Sequence, residues 1–474
     1  MLTSKNEVPN TNEEFDVVIL GAGLTGLSAA STLGNNCVVL EQNERPGGLV
    51  RTECFDGYWF DYVIHLLHFQ DEEIEVKIRN LLGDCLKPCP PEAWVETTCG
   101  TTRFPFQVNL NGLEPKQIIR CLRDLAETTF AEVKNAPSNF AEILLQTFGR
   151  GMCEIFLFPY NRKVWKRPLE NLAPSGFLWT IAKPDFEMVL KGAISSDSDY
   201  STYNSNGWYP QPAKNSQLRG MEILPAALAG KVYDLRLNHK IEAINLEKRT
   251  VTVKSNEQLL NFTFREKCCS TLPLPTLINM CKQSPQELKN ACRNLTANRV
   301  LSVTLSIRGA RPENCGHWRY YSDESLIFTR LIFMHKFDPH SAPDDGWGLL
   351  VEITEPAENP LSNAQEIFSR VRKDIESIGI LSSDCEIIDE HLIIVNPAYV
   401  VFTLENQSII EQARGFLKSY GIEPLGRYGR WEYSSMAQVM KAGFSWGEQI
   451  LLETLEKKSK EKTDIEIPIS VAAS

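Results

Sequence analysis

Three glycines and one carboxylate stand in a register that could hold a phosphate. Gly21, Gly23 and Gly26 punctuate the run GAGLTG directly after the apolar segment 17–20, and Glu41 closes a second apolar segment, 37–40. In such a register the first glycine permits a tight turn, the second lets backbone approach a pyrophosphate, and the third lets a helix pack on its strand. Leu24 and Thr25 open that helix, whose free N–H groups and positive dipole end favour an anion. Glu41 lies 20 positions after Gly21, where a carboxylate can accept from both hydroxyls of a ribose. The chemistry implied is dinucleotide binding.

Other residue types suit a substrate. Arg330 sits inside the apolar run LIFTRLIFMHKF, residues 326–337. A guanidinium there can fork two phosphate oxygens, or it needs an internal carboxylate, because a buried charge must be paired. Tyr160 and Trp165 lie in IFLFPYNRKVWKRPLENL with Arg162, Lys163, Lys166 and Arg167. Aromatic faces give about 1–3 kcal/mol of stacking to a base. The local basicity suits a diphosphate, or marks a solvated helix end. His65 and His68 are three apart in FDGYWFDYVIHLLHFQ, a position that a packed core histidine also satisfies.

These residues need elements to hold them. The pattern predicts a strand over 17–20, a small-residue helix over 27–32 and a strand over 37–40. A helical insertion follows over 115–145, broken at Gly149-Arg150-Gly151, and 195–217 is a loop of the length that lids and binding loops have. Strands are expected over 232–253, 300–307, 348–353 and 387–401, with an amphipathic helix over 365–378 and a closing helix from Met436. The fold class is α/β: a Rossmann-like dinucleotide domain with an inserted helical region and a mixed β-sheet substrate domain. The expected pieces are a disordered lead-in (1–14), dinucleotide domain (15–90, 221–275, 416–455), insertion (91–220), sheet domain (276–415) and a loose charged tail (456–474).

Composition narrows the function. With 49 Lys and Arg against 60 Asp and Glu, the net charge of −11 gives no overall field for nucleic acid or an anionic membrane. No run of 18 or more apolar residues predicts a membrane span, and the polar N-terminus lacks a signal-peptide core. The 13 cysteines include no CxxC pair. No metal is expected, and the thiols read as reduced in a cytoplasmic setting.

The segment from Glu41 to Gly48 spells Glu-x5-Gly-Gly, with Arg51 beyond it. It resembles the second fingerprint of FAD enzymes of the amine-oxidase-like superfamily. That resemblance implies an FAD-binding domain with FAD rather than NAD, contacted by Gln42, Gly47, Gly48, Leu49 and Arg51. HLLHFQDEE resembles the histidine loop of UDP-galactopyranose mutases, which crosses the isoalloxazine, with His65 as its first histidine. Val63 and Ile64 stand where that family has small residues. Tyr160, Lys163 and Trp165 match its Tyr-x-x-Lys-x-Trp pattern, whose aromatics contact uracil. Thr329-Arg330 matches the pattern whose Arg binds the diphosphate, and Tyr399 the strand near the flavin. Ile241 resembles the residue whose backbone meets the adenine. Gly426-Arg427 and Tyr433 align with the closing Gly-Arg-x-x-x-Tyr-x-Tyr, where Trp431 replaces the first Tyr. The resemblance implies that the helix at Met436 then faces the flavin pyrimidine, with Ser435 where that family usually has an Asp.

The resemblance implies an FAD-dependent mutase on a nucleotide sugar, exchanging pyranose and furanose rings through an adduct between the sugar and N5 of reduced flavin. His65, Arg330, Arg427 and Tyr433 would be its catalytic set. The alternative is an FAD-dependent oxidoreductase of amine-oxidase or protoporphyrinogen-oxidase type, favoured by Val63, Ile64, Ser435 and the absence of an Arg near Thr202. A third reading is a flavin carrier kept for a partner interaction. No second dinucleotide fingerprint is present, so NADPH acting as reductant would have to use the same cleft.

Overall fold

The computed structural model describes residues 12–131, 135–174, 185–195 and 206–465. The expected lead-in before residue 12, residues 196–205 of the long loop with Thr202, and the tail after 465 lie outside them. The chain forms two compact units: Met1–Gly48, Pro225–Lys289 and Gln412–Ser474 make one, Leu49–Leu224 and Asn290–Glu411 the other. The breaks fall after residues 48, 224, 289 and 411, against the sequence expectation of 90, 220, 275 and 415.

The first unit is built on a largely parallel sheet. Strand Asn12–Leu20 pairs in parallel with Cys37–Leu40 on one side and Gln258–Ser270 on the other. Leu235–Arg236 and Ile422–Pro424 extend it in parallel, and Lys240–Asn245 with Thr250–Ser255 adds antiparallel strands. Residues 17–20 and 37–40 are wholly buried. Strands covered on both faces read as continuous apolar runs rather than alternating ones. Helix Leu24–Leu33 connects the first two strands and packs on the closing helix Met436–Ile465 through small residues. A Cβ on Gly443 would lie 2.3 Å from the Thr25 carbonyl oxygen, and one on Gly447 2.8 Å from that of Ala29.

Two expectations are corrected here. Residues 12–14 are not a disordered lead-in: they extend the first strand, paired with Asn261, Phe262 and Thr263, and Glu13 binds Arg236 at 2.6 Å. Residues 456–465 are not a loose tail. They continue the closing helix to Ile465, because the stretch holds strong helix formers and no Gly or Pro, and Lys457 pairs with Glu266.

The second unit is built on a seven-stranded sheet. Its order is Glu386–Val400, Ala297–Arg308, Gly346–Pro356, Arg330–Phe333, Trp318–Tyr321, Ala93–Thr97 and Gly100–Arg103. All neighbours are antiparallel except Trp318–Tyr321 with Ala93–Thr97. Leu301, Val303, Leu331, Val351 and Ile353 form a core with Ile367, Val371 and Ile375 of helix Ala364–Ile378. The residues next to them on these strands, Ser302, Arg330 and Glu352, belong to the other face by the two-residue period. The insertion consists of helices Pro115–Thr129, Phe140–Met152, Phe158–Trp165 and Phe186–Ile194. The expected break falls at Gly149, where φ is +73° and a Cβ would meet the Asp124 carbonyl at 2.5 Å; helical structure then resumes to Met152. Among the described residues no helix is long and apolar enough to cross a membrane. All 13 cysteines are free thiols, and nine are buried.

Candidate functional site

The glycine turn of the first unit separates two reasons for being glycine. Gly21 has φ +98°, and a Cβ there would lie 2.3 Å from Thr271 Oγ1; on Gly26 it would lie 2.1 Å from the Gly21 carbonyl oxygen. Internal packing alone requires both. Gly23 has an ordinary φ of −75°, and a Cβ on it would meet, apart from its chain neighbours, no atom within 4 Å among the described residues. Protein packing therefore gives no reason for glycine at 23, whereas a ligand lying against its backbone does. The second glycine pair closes on the same place: Gly47 donates to the Ala22 carbonyl at 2.8 Å, and a Cβ on Gly48 would stand 3.3 Å from Gly23 Cα. A bound pyrophosphate fits this cradle.

Glu41 braces the turn from the end of its strand. Its carboxylate accepts from Ala22 N at 2.9 Å, Asn43 N at 3.0 Å and Asn43 Nδ2 at 2.6 Å. About four lone-pair positions exist on a carboxylate, so roughly one remains for a ribose hydroxyl, where the sequence suggested acceptance from two. Gln42 beside it is exposed. His239 donates its amide to the Glu41 carbonyl at 2.7 Å and leads the chain into the strand of buried Ile241.

The closing segment reaches the same turn. Gly426 has φ +75°, and a Cβ on it would lie 2.5 Å from Thr25 Oγ1. Next to it, the Arg427 guanidinium lies 4.5 Å over the ring of Tyr433. Ser435 forms a reciprocal cap on the closing helix: its Oγ accepts from Gln438 N at 3.3 Å, and its own N–H donates to Gln438 Oε1 at 2.8 Å. The first turn at Met436 carries no acidic side chain, so the positive end of this helix is left uncompensated there.

In the second unit strand register makes the site. Tyr320, Arg330, Glu352 and Ser302 stand directly opposite one another on four neighbouring strands. Arg330 Nε donates to Glu352 Oε2 at 2.7 Å, and Nη2 donates to the same oxygen. Nη1 makes no hydrogen bond among the described residues. The Tyr320 ring centre lies 5.6 Å from the guanidinium. Burial opposes the charge on Arg330, but Glu352, followed by Tyr399, Tyr320 and Tyr160, reverses that and holds its pKa well above the ordinary value. The histidine loop docks on this row by its backbone: Ile64 N donates to Glu352 Oε1 at 3.2 Å, and the Tyr62 carbonyl accepts from Ser302 Oγ at 2.6 Å.

Aromatic residues surround the pair. Tyr160 meets Tyr320 edge-on at 5.4 Å, and burial pushes its hydroxyl well above the ordinary value. Trp165 meets Tyr399 edge-on at 6.1 Å and donates its indole N–H to Asn161 at 3.0 Å. Tyr160, Trp165, Arg330 and Tyr399, scattered over the sequence, thus come together.

Lys163 behaves differently. It is buried and donates to the carbonyls of Tyr321 at 2.9 Å and Asp323 at 2.7 Å, and burial lowers its pKa to about 7. Its amine braces the connection between the strands of Tyr320 and Arg330. The bulk of Val63 faces protein: with Leu49, Tyr62 and Tyr399 it packs against Val300, Val395 and Ala398. Burial lowers His68 to about 4, so its ring is neutral at pH 7. His65 is half-buried beside Ile64, and Arg51 is buried. Sequence reasoning missed Glu352, Tyr320 and Ser302. The available signal was a lone acid in the apolar run GLLVEI, which demands a cationic partner as much as Arg330 demands an anionic one.

Residues 24–397 match the family described as flavin containing amine oxidoreductase. The chain belongs to the flavin-containing amine oxidoreductase family. Among solved structures, this family member is similar to reduced UDP-galactopyranose mutase, with TM-score 0.83 and 23% identity over 92% of this chain and 93% of that one. It is also similar to a triple mutant of putrescine oxidase, with TM-score 0.60 and 16% identity over 93% of this chain and 100% of that one. Both likenesses establish the fold. A stretch of 71 residues is 39% identical to the inactive all-trans-retinol 13,14-reductase of Danio rerio, covering 14% of this chain and 11% of that protein. The match thus spans about a tenth of that curated relative.

Proposed function

We propose that this flavoprotein binds FAD through its glycine turn and acts on a nucleotide sugar, interconverting pyranose and furanose rings without net redox. The observation that carries the reading is the guanidinium of Arg330, whose Nη1 makes no hydrogen bond among the described residues, set among Tyr160, Tyr320 and Tyr399, with Trp165 against Tyr399. Such a site combines stacking surface for a base with a donor for its phosphates. The overall likeness to UDP-galactopyranose mutase supports it. Gly21, Gly23, Thr25, Gly26, Glu41, Gly47 and Gly48 would hold the FAD pyrophosphate and ribose. When bound in reduced form, the flavin supplies the electron-rich nucleophile that ring exchange needs. Arg330 would hold the leaving diphosphate. NADPH is the proposed reductant, and the protein the proposal describes works in the cytoplasm.

The test is a titration of the reduced, FAD-loaded protein with UDP and UDP-galactose. Perturbation of the flavin spectrum by both, and furanose product by chromatography, are expected. Binding of neither, with an amine bleaching the oxidised flavin instead, overturns the reading. That second outcome belongs to an oxidoreductase acting on a less charged substrate, and the pairing of Arg330 with Glu352 favours it, since the pair is close to neutral.

A further inference from the structure

We infer that Glu352 sets the charge of ligand that the Arg330 site accepts. The inference rests on the reading that Arg330 touches the ligand, and it adds a positioning and specificity residue to that site. Glu352 is 2% exposed and stands opposite Arg330 in strand register. Its Oε2 takes both Nε and Nη2 of the guanidinium, and its Oε1 takes the amide of Ile64 at 3.2 Å. Two consequences follow from this geometry. First, the Nε edge, one of the two edges through which a guanidinium can fork an anion, is occupied from within. A ligand can reach only the end led by Nη1. Second, the carboxylate cancels the guanidinium charge where solvent cannot screen it, so a second or third negative charge on a ligand adds little attraction.

Glu352 also ties three things together that a simple counter-ion would not. The guanidinium, the backbone of the histidine loop and the strand Gly346–Pro356 share one carboxylate. Movement of Arg330 toward an anion would draw on the contact that holds Ile64, next to His65. The site is therefore built for a ligand whose aromatic or apolar part does most of the binding, with one anionic group oriented by Nη1.

The experiment uses FAD-loaded protein and calorimetric titration with uridine, UMP and UDP. In the wild type, affinity is expected to rise by less than about tenfold from uridine to UDP, and the UDP-to-uridine ratio to change little with salt, as a neutral pair requires. Glu352→Gln should raise that ratio by about tenfold or more, because the guanidinium then acts as a full charge. Ser302→Ala, which removes the Tyr62 contact without changing charge, should leave the ratio as in the wild type. An unchanged ratio in Glu352→Gln overturns the inference. If that variant does not fold, the wild-type salt series decides: a ratio that collapses with salt overturns it. Failure of uridine, UMP and UDP alike to bind sinks the nucleotide reading alone. The charge preference is then read with benzoate and isophthalate: near-equal binding by the wild type and a shift toward isophthalate in Glu352→Gln are expected, while a wild type that clearly prefers isophthalate, or binds neither, overturns it as well.

Discussion

The two units prepare for a ligand in opposite ways. In the first, the receptive surface is backbone: Gly23 lies open, Gly47 and Gly48 close beside it, and the carboxylate of Glu41 is spent mainly on bracing amides. In the second, it is side chain: Arg330 and Glu352 face each other across a sheet, ringed by tyrosines. Backbone amides cannot be substituted away, but they tolerate no bulk. A side-chain pair tolerates exchange of both members far better than loss of one. Mutations should therefore fail for steric reasons in the first unit and for electrostatic reasons in the second.

The largest effect is expected from Gly26→Ala, whose methyl would lie 2.1 Å from a backbone oxygen of the same turn. The variant should give no folded flavoprotein on purification. Gly23→Ala has no such clash. Its melting temperature in the cofactor-free state should match the wild type, while flavin affinity falls. Equal flavin loss with equal unfolding in both variants would erase the distinction between packing and ligand glycines.

Arg330→Met leaves Glu352 buried without its cation, which costs about 3–5 kcal/mol in chemical denaturation. The double variant Arg330→Met/Glu352→Leu should recover most of that, because two apolar side chains can replace a buried pair at little net cost. Non-recovery would mean that the row is held by something other than the ion pair.

Lys163 gives a smaller, pH-dependent effect. Its folded pKa of about 7 lies below the ordinary 10.5, so between those values the unfolded chain holds more protons than the native one. Stability from this group therefore rises with pH through that window and is lost as pH falls toward 7. Lys163→Met should flatten the slope of unfolding free energy measured from pH 7 to 9, and an unchanged slope would assign it elsewhere. The smallest effect is Ser435→Ala, expected to cost about 1 kcal/mol through loss of the helix cap, without changing the affinity for uridine.

What was legible depended on sequence distance. The strand, glycine turn, helix and acidic strand end occupy residues 12–41, and each constrains its neighbour through local sterics. The first strand nevertheless began earlier than its apolar run, because Asn12, Glu13 and Glu14 are held by backbone pairing and by Arg236, neither of which shows in local hydrophobicity. The closing helix outlasted its apolar face for a comparable reason: helix formers and the Lys457–Glu266 pair continue it.

The Arg330 site was legible only in its parts. The sequence alone determined that the guanidinium in an apolar strand must have an anionic partner, since an unpaired charge cannot remain buried. It also determined where glycine is required, because a turn of that tightness admits no side chain. Which anion Arg330 meets was decided by the tertiary structure. Antiparallel register places Glu352, 22 residues away, directly across from it, and sheet packing brings Tyr160 and Tyr399 to the same guanidinium. Register is a property of two strands together, so neither strand's sequence states it by itself.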